Sequence, residues 1–123
     1  MARWFGLSAA LLGLCAVTLG AMGAHAWRSL FSDAAFSTFH TTIEFQFYHA
    51  LALLVVAFSM QRHASLVLQI AGYAFLSGCL LFCGSLYALS VTGIHAFGFI
   101  TPLGGLAFLS GWGALSWYFL RQC

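Results

Sequence analysis

The chain has 123 residues, of which 63% are hydrophobic and only 5% charged, with a formal net charge of +2 and a mean hydropathy of +0.99. So few charges cannot wet a surface, which excludes a water-soluble domain and leaves a polytopic membrane protein. Arg3, Arg28, Arg62 and Arg121 stand singly against Asp33 and Glu44, so there is no basic patch and nucleic acid is excluded as a partner.

A span needs about 20 apolar residues. The length therefore predicts an all-α, four-transmembrane-helix bundle, a single four-span domain over residues 1–123, with spans at about 4–26, 41–60, 66–91 and 102–120. The first span ends in Ala24-His25-Ala26, which imitates a signal-peptide cleavage site, but its apolar stretch is longer than a signal core. It is expected to stay as a span.

Small residues recur along that span at Gly6, Ala9, Gly13, Ala16, Gly20 and Gly23, and along the last span at Gly104, Ala107, Gly111 and Ala114. Membrane helices associate through such residues because they let backbones approach. The first and fourth helices are thus expected to meet along these two seams.

Between the first two spans, Trp27, Leu30, Phe31, Ala34 and Ala35 fall at helical spacing, with Arg28, Ser29, Ser32 and Asp33 elsewhere. This is the pattern of a short interfacial helix. The second span then places Glu44, Gln46, Tyr48 and His49 within six residues ahead of an apolar run. An acid in hydrocarbon costs roughly 2.5–3.5 kcal/mol at the helix centre. Glu44 and His49 are therefore expected to face neighbouring helices.

The connection Gln61–Ser65 is short, which makes the second and third helices antiparallel neighbours. The third span carries two polar stretches expected to look inward, Gln69, Tyr73 and Ser77 at steps of four, then Ser85 and Tyr87. A loop holding His95 leads to Thr101-Pro102, an N-cap hydroxyl followed by Pro at the first helical position. Trp112, Trp117 and Tyr118 are assigned to the headgroup level at the end of the last helix.

Cys15, Cys79 and Cys83 fall inside spans and Cys123 ends the chain, unlike a secreted disulfide framework. Cys79 and Cys83 read as small apolar residues on one helical face. With the N-terminus in the cytoplasm, Arg3, Arg62 and Arg121 lie inside and Arg28 outside, so both termini are expected to be cytoplasmic.

Gly20-Ala21-Met22-Gly23-Ala24-His25, the block Phe45-Gln46-Phe47-Tyr48-His49-Ala50-Leu51-Ala52-Leu53, Gly84-Ser85-Leu86-Tyr87, and Ile100-Thr101-Pro102-Leu103-Gly104-Gly105 followed by Gly111-Trp112 resemble the signature blocks of the domain-of-unknown-function 423 family. These are small inner-membrane proteins of bacteria, with eukaryotic relatives of the transmembrane protein 256 type. The resemblance covers nearly the whole chain, with the blocks in the same order. It departs at Ala26 and Trp27, where the family usually has Gly and often a basic residue. The resemblance implies a four-helix protein of the bacterial inner membrane and brings no established activity.

Two functional readings follow. No nucleophile elbow, phosphate loop or carboxylate pair occurs, so no catalytic residue and no cofactor is assigned. The first reading is an accessory or scaffolding subunit of a larger membrane assembly, with the bilayer, other membrane subunits or further copies of itself as partners. Gly6, Gly13, Gly20, Gly23, Gly104, Ala107, Gly111 and Ala114 would supply its helix-packing surfaces. The alternative is a metal, haem or quinone held in the outer half of the bundle. Its metal candidates are His25, His40, Glu44, His49 and His95, and its cofactor candidates are His25, Glu44, Tyr48 and His49.

Overall fold

The computed structural model describes residues 1–122; Cys123 lies outside them. All regular structure among these residues is helical. Helix α1 runs Ala2–Ala24, α2 Asp33–Arg62, α3 Leu66–Gly78, α4 Gly84–Thr92 and α5 Thr101–Gln122. A π-helical turn, Cys79–Cys83, joins α3 to α4, so the third span is one rod from Leu66 to Thr92. Four such rods are long and apolar enough to cross a membrane.

The stretch expected to form an interfacial helix divides differently. Only Arg28–Leu30 makes a short 3-10 turn, and α2 begins at Asp33 instead of near residue 41. The cause is local: the Ser32 side chain accepts a hydrogen bond from the Ala35 N–H at 3.1 Å, and Asp33 sits in the first turn, where the helix dipole favours an acid. Arg28 folds back onto Asp33 at 2.8 Å and over the Phe36 ring at 4.2 Å. The 30 residues of α2 reach about 45 Å at 1.5 Å per residue, well beyond the hydrocarbon thickness of about 30 Å.

Helix α3 starts at a second capping serine, Ser65, which accepts from the Leu68 N–H. The third span ends at Gly93, whose φ of 72° is the left-handed conformation that glycine adopts without strain; its N–H bonds the Leu89 carbonyl.

Helix α1 packs on α2, and α5 packs on α3 and the π turn. The two small-residue seams therefore do not meet each other, contrary to the expectation. Gly6, Gly20 and Gly23 look at Ala57, Ile43 and Phe39 of α2, while Gly104 and Gly111 look at Phe82 and Phe75 of the third span. Nothing lies within 4 Å of where a Gly13 side chain would stand. The short connections make sequential spans antiparallel neighbours, and within the seams the notches at Gly23 and Gly111 are filled by rings, while Gly6 and Gly20 meet the aliphatic side chains of Ala57 and Ile43.

The ring-in-notch device recurs. A methyl group built at Gly111 would lie 2.6 Å from the Phe75 ring, and one at Gly23 would lie 2.5 Å from Phe39. Phe5 of α1 fills the notch at Gly72, and Phe108 fills the one at Gly78. At Gly104 the neighbour is backbone, with Phe82 Cα 2.7 Å from the built methyl. This closest approach of α5 coincides with the π turn. The buried core is continuous through Phe5, Leu53, Val56, Leu68, Phe75 and Phe108.

The stripe Gln69, Tyr73, Ser77 does not look inward as expected. Tyr73 and Ser77 are exposed because Leu68, Ala71, Gly72 and Phe75 hold the inward face. Ser77 satisfies its hydroxyl on the Ala74 carbonyl, and Tyr73 donates to the Met1 sulfur at 3.4 Å.

Gly104→Val forces a side chain into the Phe82 backbone and is expected to destabilise the bundle by about 1–3 kcal/mol, the usual cost of overpacking. Gly113→Ala, on the same helix with open space around it, leaves stability unchanged. Unfolding of both variants in mild detergent with increasing denaturing detergent measures the difference.

Candidate functional site

Thr42, Gln46, His49 and Leu53 follow one another at steps of three and four, so they share one face of α2, and all four are buried. On that face Gln46 joins three spans. Its Nε2 donates to the Leu12 carbonyl of α1 at 2.8 Å, and its Oε1 accepts from the Tyr87 hydroxyl of α4 at 2.6 Å. A helical carbonyl has a second lone pair, so Leu12 accepts this bond without giving up its place in α1. Small buried residues on α1, Ala9 and Ala16, let the two helices come close enough for it.

His49 makes the connection to the fourth span. Its Nε2 accepts from the Trp112 indole N–H at 3.1 Å, which leaves the proton of a neutral ring on Nδ1, donated to the Phe45 carbonyl at 2.6 Å. Phe108 stacks on the imidazole with centroids 3.6 Å apart and 13° between planes. Both nitrogens and one face of the ring are thus occupied. Trp112, assigned from sequence to the headgroup level, instead turns its N–H inward at the depth of His49, where an indole facing hydrocarbon has no other acceptor.

A third bridge joins α4 to the start of α5. Ser85 donates to the Phe82 carbonyl at 3.0 Å, so the Thr101 hydroxyl, 2.7 Å away, is the donor to Ser85. Among the described residues no buried side-chain nitrogen or oxygen lacks a partner.

The remaining candidates are not drawn together. His40 and Glu44 pair with each other, Nε2 to Oε1 at 3.0 Å, one turn apart on the outward side of α2 and half exposed. Glu44 therefore does not point into the bundle as expected, because the inward face is filled by Thr42, Gln46 and His49. Tyr48 is 52% exposed and stands with Glu44 in a groove of about 340 Å³ between α1 and α2, lined also by Ala16, Val17, Gly20, Ala21, Ile43 and Phe47. His25 ends α1, its backbone N–H bonding the Ala21 carbonyl while its side chain is exposed, and His95 is exposed in the connection before α5. Among the described residues no group of three His, Cys, Asp or Glu side chains is placed to hold a metal. Cys79 and Cys83 are buried, and the Cys83 thiol lies 3.8 Å from the Thr42 carbonyl.

A second groove, about 660 Å³, runs between α2 and α5 and is lined by Phe45, His49, Phe82, Phe108, Leu109 and Trp112 among others. It is apolar apart from the imidazole and indole, which are already bonded to each other. The fastening roles of Gln46 and Trp112 were not assigned from sequence; Tyr87 was expected to look inward and bond across to the second helix, with His49 rather than Gln46 as its partner. The signal available for the Gln46–Tyr87 bond was the pairing of an isolated amide in one span with an isolated phenol in the next.

A family model described as Protein of unknown function (DUF423) matches residues 19–105. The chain is 44% identical over 104 residues to the UPF0382 membrane protein YwdK of Bacillus subtilis, covering 84% of this chain and 85% of that protein. It is 36% identical over 110 residues to the UPF0382 inner membrane protein YgdD of Escherichia coli K12, covering 89% of this chain and 84% of that one. A UPF0382 membrane protein of Haemophilus influenzae is 39% identical over 108 residues, 88% of this chain and 86% of its own length. No solved structure matches.

Two measurements check the fastenings. Nitrogen NMR of labelled protein in lipid should find His49 protonated on Nδ1 and bare on Nε2, with Trp112→Phe moving the Nε2 resonance. A double-mutant cycle of Gln46→Leu and Tyr87→Phe should give a coupling of about 0.6–1.7 kcal/mol, between the average and the maximum of measured interhelical bonds.

Proposed function

We infer the role of this chain, which belongs to the DUF423 family of membrane proteins, from what its interior has already used up: it serves as an accessory, scaffolding subunit of a larger membrane assembly. The observation that carries this reading is that every buried side-chain nitrogen and oxygen among the described residues already has a partner, Thr42 and Ser90 on their own helices and Gln46, His49 and Ser85 between helices. The amide of Gln46, the imidazole of His49 and the hydroxyls of Tyr87, Ser85 and Thr101 all act as fastenings. A catalytic or ligand-binding interior would hold a group in reserve for its substrate.

The outside supports the same reading. Large apolar residues such as Leu14, Val17, Leu106 and Leu109 stand on the exposed faces of α1 and α5, with small residues such as Gly105 and Gly113 to either side of the two leucines on α5. Such a surface suits both acyl chains and the helices of other subunits. In this role the chain is one four-span domain over residues 1–123, set in a bacterial inner membrane with its termini in the cytoplasm, as the distribution of Arg3, Arg62 and Arg121 against Arg28 favours.

The reading is tested by solubilising native membranes in mild detergent and following the tagged chain on native gels. It should migrate with the same partner proteins in fixed stoichiometry, colourless and metal-free after purification. A stoichiometric metal, a Soret band or a bound quinone would overturn it.

A further inference from the structure

Helices α2 and α5 run parallel, because each is antiparallel to α3, and the His49–Trp112 bond ties them across a gap. On the Arg62 side of that bond a cleft of about 410 Å³ lies between Tyr48, Leu51 and Val55 of α2 and Trp112, Leu115 and Phe119 of α5. Val55 also lines a second hollow of about 360 Å³, together with Phe58, Ser59, Gln61 and Arg62. Tyr48, Val55 and Arg62 follow at steps of seven, so one stripe of α2 leads from the aromatic end of the cleft to a cation.

The dimensions suit one lipid. Gln46 bonds Leu12, at the middle of α1, which puts the His49–Trp112 bond close to the midplane of the bundle. From Tyr48 to Phe58 is about 15 Å at 1.5 Å per residue, half of the roughly 30 Å hydrocarbon thickness and so the depth of one leaflet. Arg62 stands about 6 Å further on, among the headgroups. Leu51, Val55, Trp112 and Phe119 are exposed, so the cleft opens directly onto acyl chains, and a gap left unfilled there would forfeit dispersion contacts.

The mouth of the cleft has one sign of charge. Arg62 has no ion pair or hydrogen bond through its side chain among the described residues, and the Ser59 hydroxyl beside it is also unbonded. The chain's two side-chain carboxylates are occupied elsewhere, Asp33 with Arg28 and Glu44 with His40, and Glu44, the nearer, lies about 27 Å back along α2. Arg3 on α1 and Arg121 on α5 add positive charge at the same end of the bundle.

We propose that this cleft is a site for one anionic phospholipid, its phosphate held by Arg62 and Ser59 and one acyl chain lying between α2 and α5 as far as Trp112. The groove beyond the His49–Trp112 bond, lined by Phe45, Phe82, Pro102 and Leu106 among others, has no charged residue and takes acyl chains without regard to headgroup. This goes beyond the accessory role and does not need it, because the bilayer itself supplies the ligand.

The test uses the full-length protein carrying Trp4→Phe, Trp27→Phe and Trp117→Phe, which leave Trp112 as the single indole, in phosphatidylcholine vesicles. Phosphatidylglycerol or phosphatidylcholine brominated on an acyl chain is titrated in, and quenching of Trp112 reports a brominated chain in contact with it. Brominated phosphatidylglycerol should quench at an about fivefold lower mole fraction than brominated phosphatidylcholine, the attraction of one arginine near the membrane surface. Arg62→Gln should abolish that preference. Arg121→Gln removes the same charge at the same end of the bundle, but half a turn round α5 from Trp112 and Phe119, and should leave the preference intact. An unchanged His49 nitrogen spectrum in each variant shows that the bundle is whole. Equal quenching by the two lipids, a preference that survives Arg62→Gln, or one that falls as far with Arg121→Gln would each overturn the proposal. None of these results bears on whether the chain joins a larger assembly in native membranes.

Discussion

The structure depends on a single rule of the bilayer, that an amide or imidazole carried into hydrocarbon must find its partner within protein. Gln46 obeys it by reaching α1 on one side and α4 on the other, and His49 by accepting from Trp112 on α5. The second span is thereby tied to each of the other three within little more than one helical turn. Each such bond contributes only about 0.6 kcal/mol on average. Their larger effect is on register, since sliding any span by a residue would strand a polar group in an apolar surrounding.

Shape complements these bonds. Phenylalanine rings enter glycine notches at Gly23, Gly72, Gly78 and Gly111, and the Phe82 backbone itself lies against Gly104. Packing of this kind is specific where uniform aliphatic faces are not, because lipid tails compete equally for a leucine surface but cannot fill a notch cut for a ring. Polar fastening and ring-in-notch packing coincide at Phe108, which fills the notch of Gly78 and stacks on His49.

Much of the architecture was legible in the sequence. Four spans follow from apolar runs and length, and the clustering of Gln46 and His49 marked the second helix as the organising one. What was not legible was the side to which each polar residue turns. Glu44, Tyr48 and His49 lie within six residues, yet a helix distributes them around its circumference, and only the packing of Leu53, Val56 and Thr42 decides which arc is inward. The stripe Gln69, Tyr73, Ser77 failed for the same reason: helical spacing groups residues on a face without saying which way it looks. The two seams expected to meet each other instead face adjacent spans, where Gly23 and Gly111 meet rings, Gly6 and Gly20 meet Ala57 and Ile43, and Gly104 meets backbone, because connectivity, not similarity of pattern, chose the neighbours. The π turn at Cys79–Cys83 had no signal in composition.

The reciprocal arrangement between α3 and α5 has a mechanical consequence. Phe108 sits in the notch of Gly78 while Phe75 sits in that of Gly111, so each helix is both key and lock to the other. A pair engaged in this way, once in each direction, resists translation along its length and rolling about its axis alike. Any rearrangement of this protein in the bilayer must carry those two rods as one rigid piece and find its freedom against the remaining pair.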